Sequence, residues 1–165
     1  MDIREASYND IRELEKLAAE TYRNAFEHLF TKDELAKRLE QTRSERYFEA
    51  ALGKNIVLIA EEDDRTVGYA EFGPTELGIG HKGDKKFFRL YVLASYQRRG
   101  IGQALIETAL NHPALRTAKN VYLGVWKENE VAKSLYTKYG FEVTGMTDVD
   151  GDIIMVRRSN TSRDE

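Results

Sequence analysis

Gln97, Arg98, Arg99, Gly100 and Gly102 stand together in the stretch "LYVLASYQRRGIGQALIETAL", residues 90–110, between a strand-like run and a helix-like one. A helix start exposes unpaired N–H groups and a partial positive charge. Glycine lets a bulky anion reach that backbone, and arginine adds forked cationic donors. The chemistry these types suit is the cradling of phosphate. The plain alternative is a tight turn with solvated arginines. A dinucleotide fingerprint needs a third glycine where this chain has Leu105, and a Walker loop needs Gly-Lys-Ser/Thr; neither is here. The spacing points to a diphosphate held in another way. A second constellation follows about thirty residues on. "NEVAKSLYTKYGF" sets Asn129, Ala132 and Tyr136 at steps of three and four, one face of a helix. Asn129 also suits a helix N-cap, and Tyr136 a core aromatic.

The elements that must position these residues are legible in the periodicity. "DIREA" reads as a first strand. After Ser7, the residues Ile11, Leu14, Leu17, Ala18, Tyr22 and Ala25 form one apolar helical stripe. Thr31 with Glu34 is a capping box that starts a second helix, and "SERYFEAAL" predicts a short third. "NIVLIAEEDDRTVGYAEFG" then reads as two strands joined by an acidic hairpin at Asp63 and Asp64. A loop with Gly78, Gly80 and Gly83 leads into the aromatic-rich strand "KFFRLYVL". Beyond the glycine loop come a helix with Ile101, Leu105, Ile106 and Ala109 on one face, a strand "NVYLGVW", and a helix ended by Gly140. A closing hairpin turns around "TDVDGD". The order predicts an α/β chain with a mixed sheet and helices on both faces, a single domain over 1–165 with 159–165 as a loose tail.

Composition narrows the function classes. No apolar run is long enough to span a membrane, and the polar, acidic start "MDIREASYND" does not read as a signal peptide. Cysteine is absent, which excludes a thiol nucleophile and fits a reducing cytoplasm. A net charge of -3 argues against general nucleic-acid binding. No His-rich ligand cluster suggests a metal.

Together the two constellations resemble the GNAT N-acetyltransferase superfamily. "LYVLASYQRRGIG" is similar to its motif A, a strand followed by Gln/Arg-x-x-Gly-x-Gly/Ala and a helix; "NEVAKSLYTKYGF" is similar to its motif B, Asn-x-x-Ala-x-x-x-Tyr-x-x-x-Gly-Phe. Ala94 departs from the proline many members carry after the strand. The resemblance implies a mostly antiparallel sheet, with splayed fourth and fifth strands, flanked by helices. It implies acetyl-coenzyme A as co-substrate and no metal. By analogy, the amides across Gln97, Arg98, Arg99, Gly100, Ile101, Gly102 and Gln103 hold the pyrophosphate. The backbone of Leu90, Tyr91 and Val92 pairs with the pantetheine arm, and an N–H near Leu90 polarises the thioester carbonyl. Asn129 holds the pantetheine amide, with Ala132 and Tyr136 on the same face. Tyr136 acts as general acid toward the leaving thiolate, whose pKa is about 8.5.

The acceptor side carries fewer signals. An alkyl amine with a pKa of about 10.4 is mostly protonated at neutral pH, and freeing its lone pair costs roughly 4–5 kcal/mol. Members that acetylate protein N-termini often carry a glutamate on the fifth strand, where this chain has Gly124. Others carry a carboxylate on the fourth strand, where Lys86, Phe87 and Phe88 stand. Glu71 in "GYAEFG" is the nearest candidate base, with a solvent-facing strand residue as the bland reading. "LGVW" ahead of motif B and "TYRNAF" near the end of the first helix resemble the PaiA-type spermine/spermidine acetyltransferases. That resemblance implies a small polyamine acceptor, with Glu27, Asp33 and Glu34 available to line an anionic groove for it. The superfamily also makes a homodimer compatible. Two other functions remain open: an acetyl-coenzyme A sensor without turnover, and an acetyltransferase acting on protein or peptide amines.

Overall fold

The computed structural model describes residues 1–75 and 83–159. Gly78 and Gly80 of the expected loop, and residues 160–165 of the expected tail, lie outside them. Seven strands form one mixed sheet in the order β1-β2-β3-β4-β5-β7-β6, mostly antiparallel. The strands are β1 (Asp2–Glu5), β2 (Ile56–Glu62), β3 (Arg65–Pro74), β4 (Lys85–Val92), β5 (Asn120–Val125), β6 (Glu142–Thr147) and β7 (Ile153–Arg158). β4 and β5 run parallel, with Lys85 opposite Val121 and Lys86 opposite Tyr122. The helices are α1 (Ile11–Phe26), α2 (Lys32–Arg43), α3 (Glu45–Leu52), α4 (Ile101–Asn111), α5 (Pro113–Arg116) and α6 (Glu130–Lys138). Helices flank the sheet, as the motif order implies. The short α5 has no counterpart in the periodicity.

The chain divides into two compact units, each discontinuous in sequence. The first unit comprises Met1–Glu71 and Arg89–Ala109. Here α1 buries Ile11, Leu14, Leu17, Ala18 and Tyr22 as its periodicity predicts. Its C-terminal half departs from that prediction. Ala25 is exposed and Thr21 is buried, its hydroxyl donating back to the Leu17 and Ala18 carbonyls. A hydroxyl can enter a core when it finds a backbone acceptor one turn earlier. Side-chain caps start α2 and α3: Thr31 Oγ1 accepts from the Glu34 N–H at 3.2 Å, and Ser44 Oγ from the Tyr47 N–H at 3.1 Å. The β2–β3 turn is Asp63-Asp64 with φ of 54° and 58°, the left-handed pair that a tight hairpin requires.

The second unit comprises Phe72–Phe88 and Leu110–Glu165. β5 pairs with β7 along its whole length, and β7 with β6 across an irregularity between Val143 and Thr147. Phe72, Phe87, Leu115, Leu123 and Phe141 are almost fully buried and form much of its interior. At about 25 cal/mol per Å², each such side chain contributes roughly 2–3 kcal/mol when buried. Gly140, with φ of +92°, ends α6 as its position after the apolar stripe predicts.

Candidate active site

The predicted site residues fall into both units. In the first unit, β4 carries Leu90, Tyr91 and Val92, all half-buried, and leads through a single 3-10 turn at Ala94–Tyr96 into the glycine loop. Gln97 Nε2 donates to the Val92 carbonyl at 3.1 Å, tying the loop back to the strand. Arg98 has φ of +65°, a left-handed conformation uncommon for a residue with a Cβ. Gly100 has φ of +81° and empty space where a Cβ would stand. A Cβ on Gly102 would meet only Val92 Cγ2, at 3.9 Å. Packing within the chain therefore does not demand glycine at position 102. The first turn of α4 includes Ile101, Gly102 and Gln103. Ile101 buries its side chain while Gln103 is exposed. Ala104 makes the first helical hydrogen bond, to the Gly100 carbonyl at 3.0 Å, so the amides before it point out of the helix. Arg98 and Arg99 are exposed, and the Arg99 guanidinium lies 4.8 Å from the Tyr96 ring centroid.

Glu71 also belongs to the first unit. It does not face solvent: it is fully buried. The Tyr47 hydroxyl donates to both of its oxygens, at 3.0 and 2.8 Å, and Asn55 Nδ2 donates to Oε2 at 2.9 Å. Arg89 Nε lies 4.0 Å from Oε1. Burial raises the Tyr47 phenol well above its ordinary range, Arg89 pulls it back, and Glu71 raises it further. The pattern of the sequence had no place for Tyr47, Asn55 or Arg89. The available signal was Arg89 itself, a cation at an alternate position of the apolar run "KFFRLYVL".

The second unit carries the other constellation. Asn129 caps α6, its Oδ1 accepting from the Ala132 N–H at 3.1 Å. The same residue keeps its side-chain NH2 for a further partner. Tyr136 is buried, with its ring edge-on to Phe87 at 6.3 Å and to Phe141 at 5.8 Å. The core-aromatic reading of this tyrosine thus holds alongside any chemical one. On β5, a Cβ at Gly124 would come within 3.0 Å of Asp148 Oδ2 and 3.7 Å of Asp152 Cβ. At this position, where the resemblance places the glutamate of N-terminal acetyltransferases, carboxylate-bearing residues of the β6–β7 turn fill the space beside the glycine. Asp148 Oδ1 accepts from the Asp150 and Asp152 N–H groups, which fixes this turn. Burial raises the Asp152 carboxyl above its ordinary range, and Asp148 and Asp150 raise it further. A glycine inside a strand was the sequence signal that something packs closely there.

Residues 53–143, more than half of the chain, match the acetyltransferase (GNAT) domain family. The chain belongs to the GNAT acetyltransferases. An uncharacterized N-acetyltransferase of Mycobacterium tuberculosis is 30% identical over 156 residues, covering 90% of this chain and 97% of that protein. The spermine/spermidine N(1)-acetyltransferase of Bacillus subtilis is 30% identical over 94 residues, 55% of this chain and 62% of that protein. Among solved structures, the PaiA N-acetyltransferase of Thermoplasma acidophilum in complex with coenzyme A has the same fold, with a TM-score of 0.80 at 23% identity over 95% of this chain and 98% of that one. GNAT membership makes the chain an acyltransferase. Among the described residues, no helix is long and apolar enough to cross a membrane, and no three His, Cys, Asp or Glu side chains are grouped to hold a metal.

Proposed function

We propose that this GNAT acetyltransferase uses acetyl-coenzyme A and acetylates a small primary amine, a polyamine such as spermidine or spermine, by direct attack in a ternary complex. The observation that carries the cofactor assignment is the start of α4. Gly100 and Gly102 leave the backbone uncovered there, and Gly100 has no side chain with which to cap the helix. Its amides and the dipole behind them suit a pyrophosphate, and the exposed Arg98 and Arg99 add charge. Leu90, Tyr91 and Val92 offer the backbone edge for the pantetheine arm, and Asn129 offers its amide NH2. Bound there, acetyl-coenzyme A supplies an acetyl group activated as a thioester. An N–H near Leu90 stabilises charge on the reacting carbonyl oxygen. The Tyr136 hydroxyl holds the proton that the departing sulfur needs.

The polyamine reading draws on the partial likeness to the Bacillus subtilis enzyme and on anionic charge. Asp148, Asp150 and Asp152 cluster at the β6–β7 turn, beside Gly124; Glu27, just past the end of α1, and Asp33 and Glu34 in the first turn of α2 are exposed. A polycation is drawn to such surfaces. For removal of the amine proton we assign Glu71, acting through Tyr47. Glu71 itself is fully buried, whereas Tyr47 is half-buried and hydrogen-bonded to it.

The test is thiol release from acetyl-coenzyme A against polyamines, aminoglycosides, amino acids and short peptides. Turnover of spermidine that falls in Tyr136→Phe supports the reading. Turnover of peptides alone moves the acceptor to protein amines. Tight cofactor binding with no thiol release from any of these acceptors points to an acetyl-coenzyme A sensor, or to a protein substrate outside the set tried.

A further inference from the structure

The first unit holds a second polar cluster whose charges do not balance. Arg43, the last residue of α2, is 8% exposed. Its guanidinium lies 4.0 Å from the Tyr22 ring centroid and 5.6 Å from that of Tyr91. It donates to Thr42 Oγ1 at 2.7 Å and, at 3.4 Å, to the Tyr91 hydroxyl. Its Nε is buried without a partner, and among the described residues no carboxylate pairs with it. Arg89 is the second guanidinium, 4.3 Å from the Tyr47 ring centroid, and among the described residues Glu71 is the carboxylate beside it. Glu71 is already occupied by Tyr47 and Asn55. Tyr69 completes the cluster. Its ring stacks on Tyr91 at 5.9 Å, and its hydroxyl is buried without a partner. Arg89 and Arg43 both draw the Tyr69 phenol back down against its burial.

Among the described residues, two cations therefore face one anion, and two buried donors, Arg43 Nε–H and the Tyr69 O–H, have no acceptor. Buried cations are ordinarily paired, because leaving water costs more than ring stacking returns. We propose that Arg43, with the Tyr69 and Tyr91 hydroxyls, binds one carboxylate group. A single negative charge balances the cluster, whereas a phosphate dianion would reverse the imbalance. The planar fork of arginine matches the two oxygens of a carboxylate. Arg89, Tyr91 and Tyr47 are half-buried, so the cluster reaches the surface. The carboxylate has two sources: a free small acid, or the acceptor's own carboxylate on an amino-acid-like amine. The binding site stands apart from the acetyl-transfer reading; only the second source rests on it, and that source would put an amino-acid-like acceptor in place of the polyamine.

The test compares thermal unfolding of the whole chain in propionate and in chloride at equal ionic strength. The wild type should gain a saturable rise in midpoint with propionate. Arg43→Met, which keeps the stem on Tyr22, should lose that rise and be no less stable than wild type in chloride. Tyr69→Phe keeps the ring and should weaken propionate binding several-fold; it decides the matter if Arg43→Met does not fold. Equal midpoints in propionate and chloride for the wild type overturn the proposal, as does a propionate effect that survives both substitutions. The source is read from thiol release with an amino acid and its amide. A KM about tenfold lower for the free acid, equalised in Arg43→Met, assigns the acceptor's carboxylate. Equal KM values with the propionate rise intact assign a free acid. Absence of turnover with any amine counts against the transfer reading and leaves the binding result standing.

Discussion

The starts of α4 and α6 are built in opposite ways. At α6, Asn129 turns its own oxygen onto the Ala132 N–H and closes one of the helix's unpaired donors. At α4, the residue in the same place is Gly100, which has no side chain to close anything, and the residue two further on is another glycine that internal packing does not require. A capped start serves the fold of its own chain. An uncapped start, made of glycine and preceded by exposed arginines, leaves donors for something outside the chain. The two motifs are thus not equivalent in this chain: one leaves its helix start open, where we propose the pyrophosphate binds, and the other caps its own helix, whose face carries the proposed acid.

The largest effect that would sharpen this contrast lies on α6. Tyr136→Phe should lower kcat by about 10²- to 10⁴-fold, the usual worth of a positioned acid, and leave the affinity for coenzyme A unchanged. Its ring packing on Phe87 and Phe141 is kept. A kcat within twofold of wild type would leave Tyr136 as a core aromatic only. On α4, Gly102→Ala should behave in reverse. A Cβ there meets only an ordinary contact, and alanine suits a helix better than glycine by roughly 0.5–1 kcal/mol. The midpoint should stay level or rise while coenzyme A binding, followed by calorimetry, weakens by about tenfold or more. Unchanged affinity would show that this start is not a ligand seat.

A smaller split separates the two duties of Asn129. Asn129→Ser keeps an N-cap oxygen and should keep stability; Asn129→Ala should lose about 1 kcal/mol. Both lose the amide NH2, so both should bind coenzyme A more weakly by the same few-fold factor. Equal affinity in wild type and both variants would confine Asn129 to capping.

Much of this was legible in the sequence because it is local. Periodicity located α1 and α4, Thr31 marked the start of α2, and the left-handed turn at Asp63-Asp64 was visible as an acidic pair between alternating runs. The two site motifs were legible because each is contiguous. What was not legible is what distant residues do to one another. Glu71 reads as a surface position on an amphipathic strand until Tyr47 and Asn55, from α3 and the residues after it, cover it. Gly124 reads as a missing glutamate until the turn at Asp148 and Asp152 fills the space. Arg43 carried no signal in the sequence; its enclosure by Tyr22 and Tyr91 appears only in the fold. In each case the deciding partners are far along the chain, and no spacing rule reaches that far.

The last and smallest contrast is between two carboxylates, one in each unit. Arg4 donates to Asp10 and holds its carboxyl below the ordinary range, with the Ser7 N–H adding to the effect. Folding therefore favours the charged form of Asp10. The stability it contributes is present above the ordinary carboxylate range and is lost as pH falls through the lowered value. Asp152 is shifted the other way, by burial and by Asp148 and Asp150. The folded chain then holds a proton on Asp152 that the unfolded chain has released. Its contribution is present at acid pH and declines as pH rises from the ordinary carboxylate range, about 4, through the raised value. Asp10→Asn should unfold at lower temperature than wild type at pH 7, with the gap closing toward pH 3. Asp152→Asn should unfold at higher temperature at pH 7, with its gap also closing as pH falls. Both effects should be small, since solvent screens both groups. Thermal midpoints across pH 3–7 that move in the same direction for the two variants would mean that the acidic turn is relaxed in solution, and that the repulsion invoked to draw a cationic acceptor to it is not stored there.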